Sequence, residues 1–351
     1  MGTELTRREA LRLVAGAAGL GASALGAQAQ EGTGHMPSLH TYDDYGWLRG
    51  FSVVPSWGAR IEEAWWFYDG ARLREEIAPA KRMHANCIRV WIEFTAWMAD
   101  PDGVTDSFVD AVGAIDEHGM KTMPCLFNRW HDFTYDYGGQ YTEDLYRDWR
   151  PKLEYVRTLV EPLVDDPRVL IWDLCNEPQA VDLAADWAQR EVEFFRQVAD
   201  TIRECGAQQP ITIGTMFGAN IEAFASLCDV LCAHPYVHTE PELGQAIAGY
   251  EEMRQRHGKP MLVNETIPGC LDDLRRAEVA RFYTRLLSEA GLGWMGWALR
   301  EGKAISTRRD RHDANGLDGE GFHPYVTREG RLRNGLEFLC EPPARSAPWE
   351  G

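Results

Sequence analysis

The sequence predicts one α/β domain with the (β/α)8 architecture of a TIM barrel, and three observations support this prediction. Eight short apolar runs alternate with amphipathic segments, which is the order of strands and helices in parallel α/β folds. The runs are predominantly apolar, as expected of parallel strands that are buried on both faces. The chain has 351 residues, and a barrel of this type needs about 250.

The eight apolar runs are rich in β-branched residues and are followed by polar loops. They cover residues 50–54, 86–92, 121–127, 169–174, 211–214, 230–234, 261–264 and 292–298. The main amphipathic segments cover residues 73–83, 108–118, 153–164, 183–204, 246–257 and 276–290. A doubly wound sheet could also hold eight strands, but no run leads into the glycine-rich phosphate turn of that fold. No linker divides the sequence, so we assign residues 36–345 to a single barrel domain.

Residues 1–30 have the features of an export signal of the twin-arginine type. Arg7 and Arg8 precede an apolar stretch over residues 13–27, and Ala27 and Ala29 provide small side chains for cleavage. An ordinary secretion signal and a fortuitous basic start are the alternatives. The stretch is too short and too glycine-rich to span a membrane, and no later segment is long enough. We therefore expect an exported protein, periplasmic or extracellular.

The charge of the chain argues against two classes of partner. The formal net charge is −18. Nucleic acids and anionic membranes are bound by clustered Lys and Arg side chains, which an acidic protein of this kind does not offer. We therefore expect neither as a partner.

The cysteines and histidines do not form a pattern typical of a metal site. The sequence has no Cys-x-x-Cys pair, and its His residues lack the HxH and HExxH spacings, so we expect no metal and no cofactor. Four thiols lie in apolar runs, where they pack as small hydrophobic groups: Cys87, Cys125, Cys175 and Cys232. One or two disulfides are left open among the other four cysteines: Cys205, Cys228, Cys270 and Cys340.

Two strand ends finish in a carboxylate. The fourth run leads into Asn176-Glu177-Pro178, and the seventh leads into Asn264-Glu265. Active sites of these barrels lie at the carboxyl ends of the strands, so Glu177 and Glu265 are expected to meet across the barrel mouth. Hydrolysis of a glycosidic bond needs a proton for the leaving oxygen and electron density at the anomeric carbon. Carboxyl groups about 5–5.5 Å apart serve a retaining reaction, and about 6.5–9.5 Å an inverting one.

Strand alternation raises a question about Asn176 and Glu177. Consecutive residues of a strand point to opposite faces, so both side chains reach the cleft only if the strand ends or bulges there. Pro178 disfavours helical backbone at the residue before it, which predicts an extended conformation for Glu177.

The Trp-Asp-Leu-Cys-Asn-Glu-Pro motif at residues 172–178 and Glu265 resemble glycoside hydrolase clan A, most nearly family 5 with its cellulase-like and mannanase-like members. The resemblance spans nearly the whole chain after the export signal. It implies that Glu177 is the acid/base and Glu265 the nucleophile. The other residues that it covers are Arg89, Asn176, His234, Tyr236 and Trp297.

By this resemblance, Asn176 would bind the sugar 2-hydroxyl, and Arg89 would hold the nucleophile ionised. Tyr236 would orient the nucleophile, His234 would line the cleft, and Trp297 would form the floor under the −1 sugar. Two alternatives need no substrate: Arg89 could form a structural ion pair near Glu93, and His234 could be a buried, hydrogen-bonded core residue.

Loops on the active face supply further candidates. Trp57 follows the first run, and Asn128 and Trp130 follow the third. These side chains could contact or stack on sugars, although most Trp residues simply pack. The polar, glycine-rich segment 300–323 follows the eighth run and is expected to shape one end of the cleft or to act as a lid.

These residues predict a retaining β-glycoside hydrolase that cleaves a β-linked oligo- or polysaccharide by double displacement. The alternatives are a non-catalytic carbohydrate-binding barrel and a transglycosylase that uses the same site. A metal-dependent barrel hydrolase is disfavoured, because the sequence lacks the spacing of its ligands.

Overall fold

The structure is a computed structural model that describes residues 41–129, 148–216, 218–312, 316–319 and 321–350. These residues belong to one compact unit. The predicted export signal at residues 1–30 and the candidate Trp130 lie outside the described residues.

Among the described residues, eight parallel strands form the expected barrel, and each overlaps one of the predicted runs. Six of them form a sheet in the order β5-β4-β3-β2-β1-β8, and β6 pairs with β7. Backbone hydrogen bonds join the two sheets. The N–H of His234, just after β6, donates to the carbonyl of Thr215, just after β5 (2.8 Å), and the N–H of Val263, just after β7, donates to the carbonyl of Leu292, just before β8 (3.1 Å). The strands are β1 Arg49–Val53, β2 Cys87–Trp91, β3 Lys121–Cys125, β4 Trp172–Asn176, β5 Ile211–Gly214, β6 Leu231–Cys232, β7 Met261–Leu262 and β8 Trp294–Gly296.

Helices surround the barrel, and each of the six predicted amphipathic segments overlaps one of them. The helices are α1 Ile61–Trp66, α2 Gly70–Arg82, α3 Phe94–Ala99, α4 Pro101–Glu117, α5 Arg150–Val160, α6 Asp186–Glu204, α7 Gly218–Phe224, α8 Glu240–His257 and α9 Asp273–Glu289. Helices α1, α3 and α7 were not predicted. They have only six or seven residues, which is too short to display a helical hydrophobic period. Within the described part of the chain, no helix is both long and apolar enough to cross a bilayer.

Helix ends follow from local sequence. Helix α8 begins with a capping box, in which Thr239 and Glu242 each accept a hydrogen bond from the other's backbone N–H. It ends at Gly258, whose φ of 59° is left-handed. Helix α2 begins at Asp69, whose carboxylate accepts from the backbone N–H of Arg72.

The inside of the barrel is layered, and strand alternation sets the layers. An apolar layer contains Cys87, Met123, Ile171, Cys232, Leu262 and Met295, with Tyr45, Trp47 and Leu48 packed in the same cluster. Side chains two residues further along a strand point the same way, so the next layer is set by residues i+2. That layer is polar and buried, and it contains Arg89, Asp173, His234 and Asn264. The active face therefore rests on charged and amide groups above an apolar plug.

The cysteines are consistent with packing roles. The four thiols of the apolar runs are buried, at positions 87, 125, 175 and 232. Cys205, Cys228 and Cys340 are also thiols, so no disulfide links these three.

We predict that Gly293→Ala destabilises the barrel, because Gly293 has a φ of 64° and an added Cβ would lie 2.4 Å from the Tyr45 carbonyl oxygen. We expect its free energy of unfolding to fall by about 1–3 kcal/mol in denaturant titrations. Gly249→Ala is the control, since Gly249 lies in helix α8 with nothing within 4 Å of an added Cβ. That variant should gain up to about 1 kcal/mol. Equal effects of the two changes would contradict the close approach at Gly293.

Candidate active site

Glu177 and Glu265 converge at the carboxyl ends of β4 and β7, as predicted. Both side chains are buried, with exposures of 1% and 3%. One carboxylate oxygen of each and a ring nitrogen of His234 all lie within 4.8 Å of one another. This close approach is consistent with the retaining arrangement, in which the two carboxyl groups are about 5–5.5 Å apart.

The backbone at Glu177 explains how two consecutive side chains reach the site. The register of β4 against β5 shifts between Asp173 and Asn176, so the strand is irregular there, as alternation required. The extended conformation expected of Glu177 is wrong, because its φ is 52°, in the left-handed region. Tertiary hydrogen bonds hold this conformation. The backbone N–H of Glu177 donates to the Gly214 carbonyl at 2.8 Å, and the buried Glu191 carboxylate accepts from the backbone N–H groups of residues 179 and 180.

Arg89 is the centre of the polar layer. Its fully buried guanidinium donates to Asp173 Oδ2 (2.8 Å), Glu265 Oε2 (2.8 Å) and Asn176 Oδ1 (2.9 Å). Burial lowers the pKa of Arg89, but the charges of Asp173 and Glu265 more than offset it and leave that pKa well above its usual value. The alternative ion pair with Glu93 does not form, since the Glu93 carboxylate instead caps helix α3.

Tyr236 and His234 each contact one of the two glutamates. The Tyr236 hydroxyl donates to Glu265 Oε1 at 2.9 Å. His234 Nδ1 lies 2.9 Å from Glu177 Oε1 and 3.9 Å from Glu265 Oε1. Both residues therefore face the site.

Asn128 and Asn176 form a pair beside this cluster. Asn176 Nδ2 donates to Asn128 Oδ1 at 3.0 Å, and both side chains are buried. Because Asn176 Oδ1 accepts from Arg89, the amide of Asn176 is fixed at both ends.

The three candidate indoles have different outcomes. Trp297 is buried at the mouth, with Nε1 donating to Ser306 Oγ at 3.0 Å. Trp57 is buried with its Nε1 donating to the Ala64 carbonyl of helix α1 at 3.1 Å, and the guanidinium of Arg72 lies 5.1 Å from its ring centre. This places Trp57 in packing between β1 and the first helices. Trp130 is outside the described residues.

Sequence reasoning missed three residues at the site: Trp91, Asp173 and Asn264. The rings of Trp91 and Trp297 stack with centroids 4.6 Å apart. Trp91 lies two residues beyond Arg89 on β2, so strand parity could have identified it. Asp173 and Asn264 are polar groups in apolar runs, and a buried polar group requires partners. That requirement was the available signal for both.

The described part of segment 300–323 packs onto the barrel mouth. The Leu299 backbone N–H donates to the Ser52 carbonyl at 3.1 Å, which ties the start of the segment to β1. Ser306 and Thr307 are buried, and Ser306 contacts Trp297. His323 lies edge-on to Tyr236, with ring centroids 6.0 Å apart. The segment therefore forms one wall of the site.

Glu177, His234 and Glu265 are also the only described group of side chains whose donor atoms are spaced to hold a metal ion. Several of their donor atoms have partners outside the group. His234 Nε2 contacts Asn264, and Arg89 and Tyr236 each contact one oxygen of Glu265. A cation would also compete with the guanidinium of Arg89, so this donor set is better suited to moving protons.

A family model described as Cellulase (glycosyl hydrolase family 5) matches residues 48–303. The chain belongs to glycosyl hydrolase family 5. This membership confirms the resemblance that the motif around Glu177 predicted.

Several curated relatives are similar to the chain. A probable mannan endo-1,4-β-mannosidase C from Aspergillus terreus is 29% identical over 138 residues, which cover 34% of each chain. A β-glucuronidase from Paenibacillus borealis is 30% identical over 106 residues, which cover 28% of this chain and 17% of the relative. The chain therefore spans about a third or less of these two relatives.

Solved structures confirm the barrel fold. The exo-β-1,4-mannosidase Op5Man5 from Opitutaceae bacterium strain TAV5 aligns over 84% of this chain and 58% of its own, with a TM-score of 0.63 and 18% identity. The endo-1,4-β-D-mannanase from Thermotoga petrophila RKU-1 aligns over 84% and 98%, with a TM-score of 0.58 and 16% identity.

We predict that Glu93→Gln changes the pH dependence of stability. Burial, with the nearby Glu62 charge, raises the pKa of Glu93 to about 7 from 4.5. The folded protein then binds more protons than the unfolded chain between these values, so its free energy of unfolding falls as pH rises through them.

Glu93→Gln should remove this loss, since an amide can still cap helix α3. Relative to wild type, the variant should gain roughly 3 kcal/mol between pH 4.5 and 7. Denaturant titrations at several pH values measure the difference. A difference that stays constant with pH would show that Glu93 is ionised in the folded protein.

Proposed function

We propose that this chain is a retaining β-glycoside hydrolase, with Glu265 as nucleophile and Glu177 as acid/base. The observation that carries the proposal is the approach of the two buried carboxylates within 4.8 Å, each in a different electrostatic setting. Two nearby carboxyl groups can divide the acid and nucleophile roles when their surroundings favour opposite protonation states.

The surroundings of Glu265 favour an ionised nucleophile. Its Oε2 accepts from the Arg89 guanidinium at 2.8 Å, and its Oε1 accepts from the Tyr236 hydroxyl at 2.9 Å. A cation and a hydroxyl donor both stabilise a carboxylate. The two contacts also fix the plane of the carboxylate, which limits the directions from which it can attack.

The surroundings of Glu177 favour proton exchange. Its Oε1 lies 2.9 Å from His234 Nδ1, and an imidazole can either donate or accept at that position. Glu177 is therefore the group suited to give a proton in the first step and to take one in the second.

The reaction proceeds in two displacements. In the first, a Glu265 oxygen attacks the anomeric carbon while the bond between that carbon and the aglycone oxygen breaks. The departing aglycone oxygen takes the proton of Glu177. A water molecule then gives a proton to the Glu177 carboxylate and attacks the same carbon, which releases Glu265 and retains the configuration. In this proposal the Asn176 amide binds the 2-hydroxyl, and the Trp297 ring packs against the apolar face of the −1 sugar.

We propose a β-linked mannoside as the substrate class. The relatives reported above include a probable mannan endo-1,4-β-mannosidase, an exo-β-1,4-mannosidase and an endo-1,4-β-D-mannanase, and these names support β-1,4-mannan as the first substrate to assay. The match to a β-glucuronidase makes β-glucuronides the second.

Glu177→Gln and Glu265→Gln should each lower kcat by about a thousandfold, since each removes a group that makes or breaks a bond. The measurement is the release of reducing ends from β-mannan and of nitrophenol from an aryl β-mannoside. Glu76→Gln is the matched control, because Glu76 is a buried carboxylate that contacts Ser56 and Arg72 away from the pair. Near-normal turnover in either site variant would refute the assignment. Binding of mannan by wild type without product release would instead indicate a non-catalytic barrel.

Product stereochemistry tests the two-step path independently. Proton NMR of the first product should show the β anomer before mutarotation, as double displacement requires. Initial appearance of the α anomer would contradict double displacement. Growth of longer oligosaccharides at high substrate concentration would identify a transglycosylase with the same site.

A further inference from the structure

Asn264 lies in the polar layer beneath the proposed catalytic pair and connects Asp173 with His234. Its Nδ2 donates to Asp173 Oδ2 at 3.0 Å, and its Oδ1 lies 2.7 Å from His234 Nε2. The Cys232 thiol also donates to this Oδ1, at 3.0 Å. Asn264 is fully buried and follows β7, immediately before Glu265.

The orientation of the Asn264 amide follows from its partners. Asp173 Oδ2 accepts from the Arg89 guanidinium and its Oδ1 accepts from the Gly214 backbone N–H, so both of its oxygens act as acceptors. The amide must therefore turn its NH2 toward Asp173 and its oxygen toward His234. An amide oxygen only accepts, so the Nε2 of His234 carries a proton.

This proton placement determines what His234 offers to Glu177. A neutral imidazole protonated at Nε2 has a lone pair at Nδ1, so the contact with Glu177 Oε1 requires the proton of the carboxylic acid. If Nε2 lost its acceptor, the buried N–H would be left unsatisfied, which is costly. The proton would then move to Nδ1, where the ionised form of Glu177 accepts it.

We propose that Asn264 is a positioning residue that fixes the tautomer of His234 and thereby keeps Glu177 in its acid form. The inference rests on the proposed roles of Glu177 and Glu265. The titratable and charged groups that surround His234 and its partner amide are Glu177, Glu265, Arg89, Asp173 and Cys232. Among them, Asp173 fixes the orientation of the Asn264 amide, and Glu177 is the group whose protonation changes with the tautomer of His234.

The experiment compares aryl β-mannosides whose leaving groups differ in basicity. Asn264→Leu removes the acceptor at similar size, while Arg89 and Tyr236 still hold Glu265. A dinitrophenolate departs with little help from an acid, so kcat/KM for that substrate should fall by no more than about threefold. For 4-nitrophenyl or disaccharide substrates, which need the proton, it should fall by about tenfold or more. The alkaline limb of the pH profile should move to lower pH.

Cys232→Ala is the matched control, since it removes the other donor to Asn264 Oδ1 and leaves the imidazole contact intact. It should keep the leaving-group dependence of wild type. If Asn264→Leu lowers kcat/KM equally for both classes of substrate and leaves the pH profile unchanged, the role of Asn264 is merely structural and the proposal is overturned.

A measurement on the wild-type protein keeps the proposal testable if Asn264→Leu does not fold. With ¹⁵N-labelled histidine, two-bond ¹H–¹⁵N spectra report which ring nitrogen is protonated, and His234→Gln assigns the signal. We expect a protonated Nε2 and a bare Nδ1 at the pH of optimum activity, and either a bare Nε2 or a protonated Nδ1 would overturn the inference. Hydrolysis of β-mannosides by wild type, measured in parallel, would leave the proposed function standing in either case.

Discussion

The buried guanidinium of Arg89 is the interaction on which the rest of the site depends. A fully buried cation is costly unless charged and polar partners surround it. Asp173, Glu265 and Asn176 supply those partners, each within 2.9 Å of a guanidinium nitrogen. One charge therefore fixes the proposed nucleophile and the amide expected to bind the sugar. Through Asp173, it also sets the orientation of Asn264.

The two glutamates have different electrostatic surroundings because different side chains contact them. Glu265 accepts hydrogen bonds from the Arg89 guanidinium of β2 and from the Tyr236 hydroxyl, which follows β6. Glu177 meets His234, whose other ring nitrogen faces Asn264. The contacts of both glutamates lead back to Asp173, whose carboxylate accepts hydrogen bonds from Arg89 and from Asn264. The acid side and the nucleophile side thus share one buried carboxylate, that of Asp173.

Much of the barrel was predictable because its strands are buried on both faces and read as apolar runs. Glu177 and Glu265 could be located in the sequence because each follows one of these apolar runs. The left-handed backbone of Glu177 was not predictable, because contacts from β5 and from Glu191 in helix α6 override the local preference set by Pro178. Asn264 was overlooked because its role depends on a partner 91 positions away in sequence.

Identification of the nucleophile tests the account most directly. A 2-deoxy-2-fluoro-β-mannosyl fluoride slows both displacements but keeps a good leaving group, so a retaining enzyme accumulates the covalent glycosyl intermediate. Peptide mass spectrometry of the inactivated protein should place the label on Glu265. A label on Glu177, or on a carboxylate outside the pair, would contradict the division of roles set by Arg89.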